Sequence, residues 1–142
     1  MPASVVEQAL ARIKLALIGA TAAGSNVERG REDGVSPDEM PAINIRRANT
    51  PVDAYGTRSS QLRITVELDL WAAGPEWETA ADDLHMSAHA ALFADAVLRP
   101  SLIGCTGVDA AGAVGETPAG RLTARYELLL FAQTADLTTP LA

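Results

Sequence analysis

The stretch from Gln61 to Trp71, QLRITVELDLW, alternates without a break. Leu62, Ile64, Val66, Leu68 and Leu70 fall on one side of an extended chain, and Gln61, Arg63, Thr65, Glu67 and Asp69 fall on the other. Such a strand buries one face and shows the other to water. That favours an antiparallel or mixed sheet over a parallel sheet covered on both faces. A second alternation follows near the C-terminus, where Leu122, Ala124, Tyr126, Leu128 and Leu130 interleave with Arg121, Thr123, Arg125 and Glu127. With LIGCTGVDA before it as another strand, this reads as a hairpin whose long flexible tip covers 110–120.

Two helices belong with these strands. Ser4 and Glu7 have the spacing of a capping box, in which each side chain satisfies the other residue's free backbone amide. Val6, Ala9, Leu10, Ile13, Ala16 and Leu17 then share one helical face, and Gly19 and Gly24 mark the end. The second helix begins near Pro75, with Glu76, Glu78, Asp82 and Asp83 suited to the positive end of its dipole. Trp77, Ala80, Ala81, Leu84, Ala88, Ala91 and Leu92 form its core stripe.

Between the helices, VERGREDG reads as a short edge strand closed by an Asp-Gly turn. Two prolines then argue against helix up to a strand at Ala42–Arg47. Residues 48–60 lack periodicity and read as a long loop or hairpin tip, a kind of segment that often carries function. Residues 1–3 and the polar 133–142 read as flexible ends. No repeat or linker divides the chain, and its 142 residues suit a single domain over 1–142.

Hydrophobic residues make up 48% and charged residues 20%, the balance of an ordered globular chain. Aromatics are only 4%, so the core is built from small side chains, and contacts between subunits are expected to add stability. The net charge of −7 lacks the basic surface that phosphate contacts require, so specific nucleic-acid binding is not expected. The one basic cluster, Arg46, Arg47, Arg58 and Arg63, is either a small patch for such a ligand or a solvated strand edge. Cys105 stands alone, which suits a reducing compartment. No apolar run approaches the ~18 residues of a membrane span.

Both histidines lie in HMSAH. His85 and His89 are one helical turn apart, and helical winding places Glu78 and Asp82 on the same flank. Two imidazoles and two carboxylates on one helix are candidate ligands for a divalent ion such as zinc. Against that, Met86 stands where a zinc hydrolase carries its general base, and a second element offers no further histidine. A charge-paired face explains the same residues. No nucleophile elbow, phosphate loop or reactive cysteine environment is present. No catalytic residue and no cofactor is therefore expected.

Some apolar residues fall on sides that should be polar. These are Met86 and Phe93 on the second helix, Leu129 and Phe131 on the last strand, and Leu15 and Ile18 on the first helix. Either another element of the subunit covers them or they meet a partner.

The order helix, proline-flanked strand, long loop, alternating strand, acidic helix, hairpin resembles the tail terminator proteins of long-tailed bacteriophages, the minor tail protein U-like group. In that group an E-x-P-A-I-x-V-like strand leads through a variable loop into an R-x-L-x-L-x-V-x-V-like strand and a helix. Here the first corresponds to Glu39 to Ile45, with Ile45 at the valine place. The second corresponds to Arg63 to Leu70, shifted in phase. The likeness runs from Ser4 to about Ala132.

The resemblance implies an α+β subunit, with two helices packed on one face of a twisted, largely antiparallel or mixed sheet of four to five strands. It implies assembly without catalysis, as a hexameric ring that caps the tail tube and meets the head connector. The implied partners are further copies of the chain, the tail tube protein and the head connector protein. The implied location is the cytoplasm of a bacterial host during assembly, and then the virion tail. Met86, Phe93, Leu129, Phe131, Arg46, Arg47, Tyr55 and Arg58 are then candidate contact residues. A head-tail joining or tail completion protein of the neck is the rival within that setting. A metal-dependent enzyme and a small nucleic-acid binder are the rivals outside it.

Overall fold

The computed structural model describes residues 3–31, 34–48, 52–55, 59–113, 117–133 and 136–140, with the backbone alone at 52–55 and 113. In chain order the elements are α1 (Val5–Leu17), β1 (Val27–Arg29), β2 (Ala42–Arg47), β3 (Val52–Tyr55), β4 (Ser59–Ala73), α2 (Trp77–Ala94), β5 (Leu102–Ala113), β6 (Ala119–Gln133) and β7 (Asp136–Pro140). A single 3₁₀ turn at Pro37–Glu39 precedes β2.

The main path of the sheet runs β1-β2-β4-β6-β5, with short β3 and β7 added to β4 and β6. Among the described residues only β1 and β2 run parallel; the other pairs are antiparallel. This is an α+β fold, and its organising element is the alternating strand. β4 pairs with β6 over its whole length, from Ser59 opposite Gln133 to Ala73 opposite Ala119.

Register sorts the side chains. Ile43, Leu70 and Leu122 lie in one row across β2, β4 and β6, and Ile45, Leu68 and Ala124 lie in the next; all six are buried. Val66 faces Tyr126 and Ile64 faces Leu128 on the same side. α1 supplies Val6, Leu10, Ile13 and Leu17 to this core, and α2 supplies Ala81, Leu84, Ala88 and Leu92. Each large aliphatic side chain removed from water there contributes about 1.5–3 kcal/mol.

Ser4 caps α1 by accepting the Glu7 amide at 3.1 Å. The reciprocal half of the expected capping box is absent. The Glu7 carboxylate instead pairs with Arg29 at 2.7 Å and stands 3.8 Å from Arg47, tying the start of the helix to β1 and β2. At the end of α2, Asp95 accepts the Val97 and Leu98 amides and pairs with Arg12 of α1. The guanidinium of Arg12, helped by those amides, holds the Asp95 carboxyl below its usual range.

Two segments differ from the sequence expectation. The hairpin tip is much shorter than 110–120, because β5 continues to Ala113 and β6 starts at Ala119. Trp77 explains part of this extension. Its ring lies flat on Gly120, where a Cβ would come within 2.5 Å of it, and reaches Gly112, the register partner of Gly120. The glycines that look like loop residues in the sequence form a platform for an aromatic ring.

The tail is the second difference. Asp136–Pro140 forms β7 on β6, held also by the Gln8 side chain, which donates to the Thr138 carbonyl at 2.9 Å. Within 48–60 the hairpin reading holds: Val52–Tyr55 pairs with Ser59–Leu62. The Asp-Gly turn expected at Asp33 lies outside the described residues.

Candidate functional site

Of the two histidines, His85 is buried and His89 is half-buried. α2 runs over β4 and β6, which turns His85 inward, where it is 5% exposed. His85 Nε2 and His89 Nδ1 each stand 2.8 Å from the Tyr126 hydroxyl on β6. That hydroxyl has one proton and two lone pairs, so it donates to one imidazole and accepts an N–H from the other. The two rings are therefore fixed in different roles by one oxygen. Phe93 completes the cluster, its ring centroid 4.7 Å from that of His89.

Burial pushes the His85 imidazole below its ordinary pKa; the neighbouring His89 lowers it further, and Asp82 partly offsets this. Burial, with the Cys105 thiol beside it, pushes the Tyr126 hydroxyl well above its usual range, so it stays protonated. The four expected metal-ligand candidates do not converge. Tyr126 occupies the nitrogens of His85 and His89 that meet at its oxygen, and Glu78 and Asp82 are exposed. Among the described residues no group of three or more His, Cys, Asp and Glu side chains is placed to hold an ion. The alternation of β6 marked Tyr126 as inward-facing, but nothing in the sequence said that its hydroxyl would need partners.

A second polar cluster lies on the opposite face of the sheet. Register puts Asn44, Asp69, Thr123 and Asp109 in one row, with Arg46, Glu67 and Arg125 in the next. Asp69 is the centre. Arg46 donates to it from Nε at 2.6 Å and from Nη2 at 2.9 Å, and Thr123 donates at 2.9 Å. Asn44 lies 3.4 Å away and also exchanges hydrogen bonds with the backbone of Arg31. Asp69 is only 2% exposed, although it lies on the polar side of its strand.

Two of the four arginines in the candidate basic patch, Arg46 and Arg47, meet acids. Arg46 is paired with Asp69 and Glu67, Arg47 stands near Glu7, and Arg125 pairs with Asp109. Arg63 remains exposed. Arg58 lies outside the described residues, as does the side chain of Tyr55.

The apolar contact candidates divide. Met86 is 51% exposed, and Leu15 and Ile18 are open as well. Phe93, Leu129 and Phe131 are half-buried, which favours for them the first of the two alternatives, cover within the subunit. Phe93 packs against the core beside His89. The Leu129 backbone is tied to the Ser101 carbonyl at 2.8 Å. Phe131 lines a groove of about 210 Å³ with Val5, Ala9, Val97, Leu98 and Leu130. Phe131 thus meets residues of α1 and of the 97–101 turn, and the backbone beside it is held to the same turn at Ser101.

Sequence reasoning missed Val97, Ile103 and Val108, all exposed, and Leu137 on β7. Ile103 and Val108 lie on β5, whose bulges at Leu102/Gly104 and Cys105/Gly107 disturb the regular alternation. Among the described residues no helix is long and apolar enough to cross a membrane. Compared with known proteins, the chain matches no family model and no curated sequence.

Proposed function

We propose that this chain is a structural subunit of the tail-terminator kind, assembling with copies of itself into a ring that caps a tail tube and offers a surface to a head connector. The observation that carries the reading is the set of apolar side chains left open on the outer sides of both helices. Leu15, Ile18 and Met86 are 62%, 42% and 51% exposed, and Val97 beside the end of α2 is 63% exposed. Side chains of this size contribute most when a partner removes them from water.

Electrostatics support the same reading. With a net charge of −7 and most sheet arginines already paired, the surface is poorly suited to hold a passing nucleic acid. The polar groups at the sheet centre are engaged with one another, so they offer few free groups to a polar ligand. A ring of this kind uses one patch against a different patch of its neighbour, so it closes only when the rotation between copies is right.

The test is mass measurement over rising protein concentration, with and without isolated tail tubes. A six-fold species that binds tube ends is expected, and Met86→Glu together with Leu15→Glu should remove it while leaving the fold intact. A strict monomer at high concentration that also ignores tail tubes would sink the proposal.

A further inference from the structure

We propose that β5 is a self-pairing edge, and that a second copy of this chain docks on it by adding its own β5 antiparallel. The inference rests on the self-assembly reading only in taking another copy as the occupant. It adds a contact that the helix surfaces do not make.

β5 is twelve residues long and ends the strand order, and among the described residues β6 is its one strand neighbour. Its other side presents a row of backbone N–H and C=O groups, and such an edge is a template for a further strand. The segment from Gly107 to Ala113 is in regular register with Arg125 to Ala119, past both bulges, so its free edge is straight. Thr106, Val108, Asp109, Ala110, Ala111 and Gly112 are all exposed. Protein edges are commonly guarded by lysine, proline or an inward charge. Here Asp109 is the only charge, and it is already engaged by Arg125.

Length selects the occupant. The other short outer strands, β1, β3 and β7, offer three, four and five residues, so none matches this edge. A second β5 does. Centring the two-fold axis on Ala110 sets Val108 opposite Gly112 and Asp109 opposite Ala111, so no like charges face each other. Small residues dominate this register, so two strands can approach without steric conflict. The helices leave room, because α2 packs mainly on β4 and β6. In a continuous sheet the two β6 strands stand three strand spacings apart, ~14 Å. Val108, which register places on the helix-bearing face and which is 45% exposed, is then covered along with the opposing backbone.

The test is disulfide trapping. Residues directly opposite across a strand pair hold their Cβ atoms about 4.5–5.5 Å apart, close enough for a bridge after a small shift. In a Cys105→Ser background, Ala110→Cys should form a covalent dimer under mild oxidation at micromolar protein. The same background carrying Ser87→Cys, an exposed position on α2, reports random collision.

Crosslinking at Ala110 at least tenfold faster than at Ser87 supports the proposal, and equal rates overturn it. Ala110→Lys, which sets two ammonium groups face to face, should weaken association at least tenfold while its far-ultraviolet spectrum stays that of the parent. A six-fold species without trapping at Ala110 removes the β5 contact and leaves the ring reading. Trapped dimers as the largest species remove the ring and leave the β5 contact.

Discussion

The sheet carries a buried polar cluster on each face, and the two are built on opposite principles. Under α2, His85 and His89 share the single hydroxyl of Tyr126, which serves as donor to one and acceptor to the other. On the far face, Asp69 gathers a bidentate arginine, a threonine and an asparagine around a full negative charge. In the helix-side cluster His85 is buried against the apolar core, where an ion would be costly. The far-side cluster keeps its guanidinium partly in water, Arg46 being 37% exposed, so the charge on Asp69 is neutralised without stranding both ions. Each solution suits its layer.

Removing the centre of each cluster tests that difference, and the ionic one should be the more sensitive. Asp69→Ala leaves the Arg46 guanidinium, the Thr123 hydroxyl and the Asn44 amide short of an acceptor. Buried pairs broken at one end lose several kcal/mol, and the partial exposure of Arg46 reduces that to about 3 kcal/mol here. Tyr126→Phe removes one oxygen and leaves two imidazole nitrogens facing a ring edge, for about 2 kcal/mol. Both losses are read from urea unfolding midpoints at pH 7.5. A Tyr126→Phe loss larger than that of Asp69→Ala would reverse the ranking and show that the helix-side cluster is the tighter one.

Much of the architecture could be read in advance, for a physical reason. Where water meets one face only, solvation writes itself into the order of residues. β4 therefore came out with its register partners on the expected sides, β2 with its bounds at Ala42 and Arg47, and α1 with its cap at Ser4. What stayed hidden depends on residues far apart in the chain. Gly120 reads as loop until Trp77 is laid on it, and Asp136–Pro140 reads as tail until Gln8 and β6 hold it.

The candidate site was hidden in the same way. His85 and His89 at helical spacing look like ligands, and only their distance to Tyr126, 41 and 37 positions further on, shows a closed hydrogen-bonded set. Asp69 sits on the polar side by periodicity, yet it is buried because Arg46 and the backbone of Arg31 meet beside it, through Asn44. Exposure on β5 was missed because two bulges break its period. One-dimensional pattern shows which face a residue takes, not what else arrives there.

The smallest effect should appear in mild acid and should touch the helix-side cluster alone. His85 is pushed below its ordinary pKa of about 6.5, chiefly by burial and then by His89, so the unfolded chain takes up a proton that the folded chain resists. Its contribution to stability is complete above that ordinary value and is lost as pH falls through the lower folded one. Urea midpoints should therefore decline from pH 7.5 to 5.5, by no more than ~1.4 kcal/mol per pH unit for each proton involved. That window lies above ordinary carboxylate titration.

His85→Gln keeps an amide for Tyr126 and removes the titration, so its midpoints should vary less over the same range. An unchanged slope in that variant would assign the acid response elsewhere. The helix-side cluster is the pH-sensitive one of the two because burial of His85 opposes an added proton and the nearby Asp82 charge offsets that only in part.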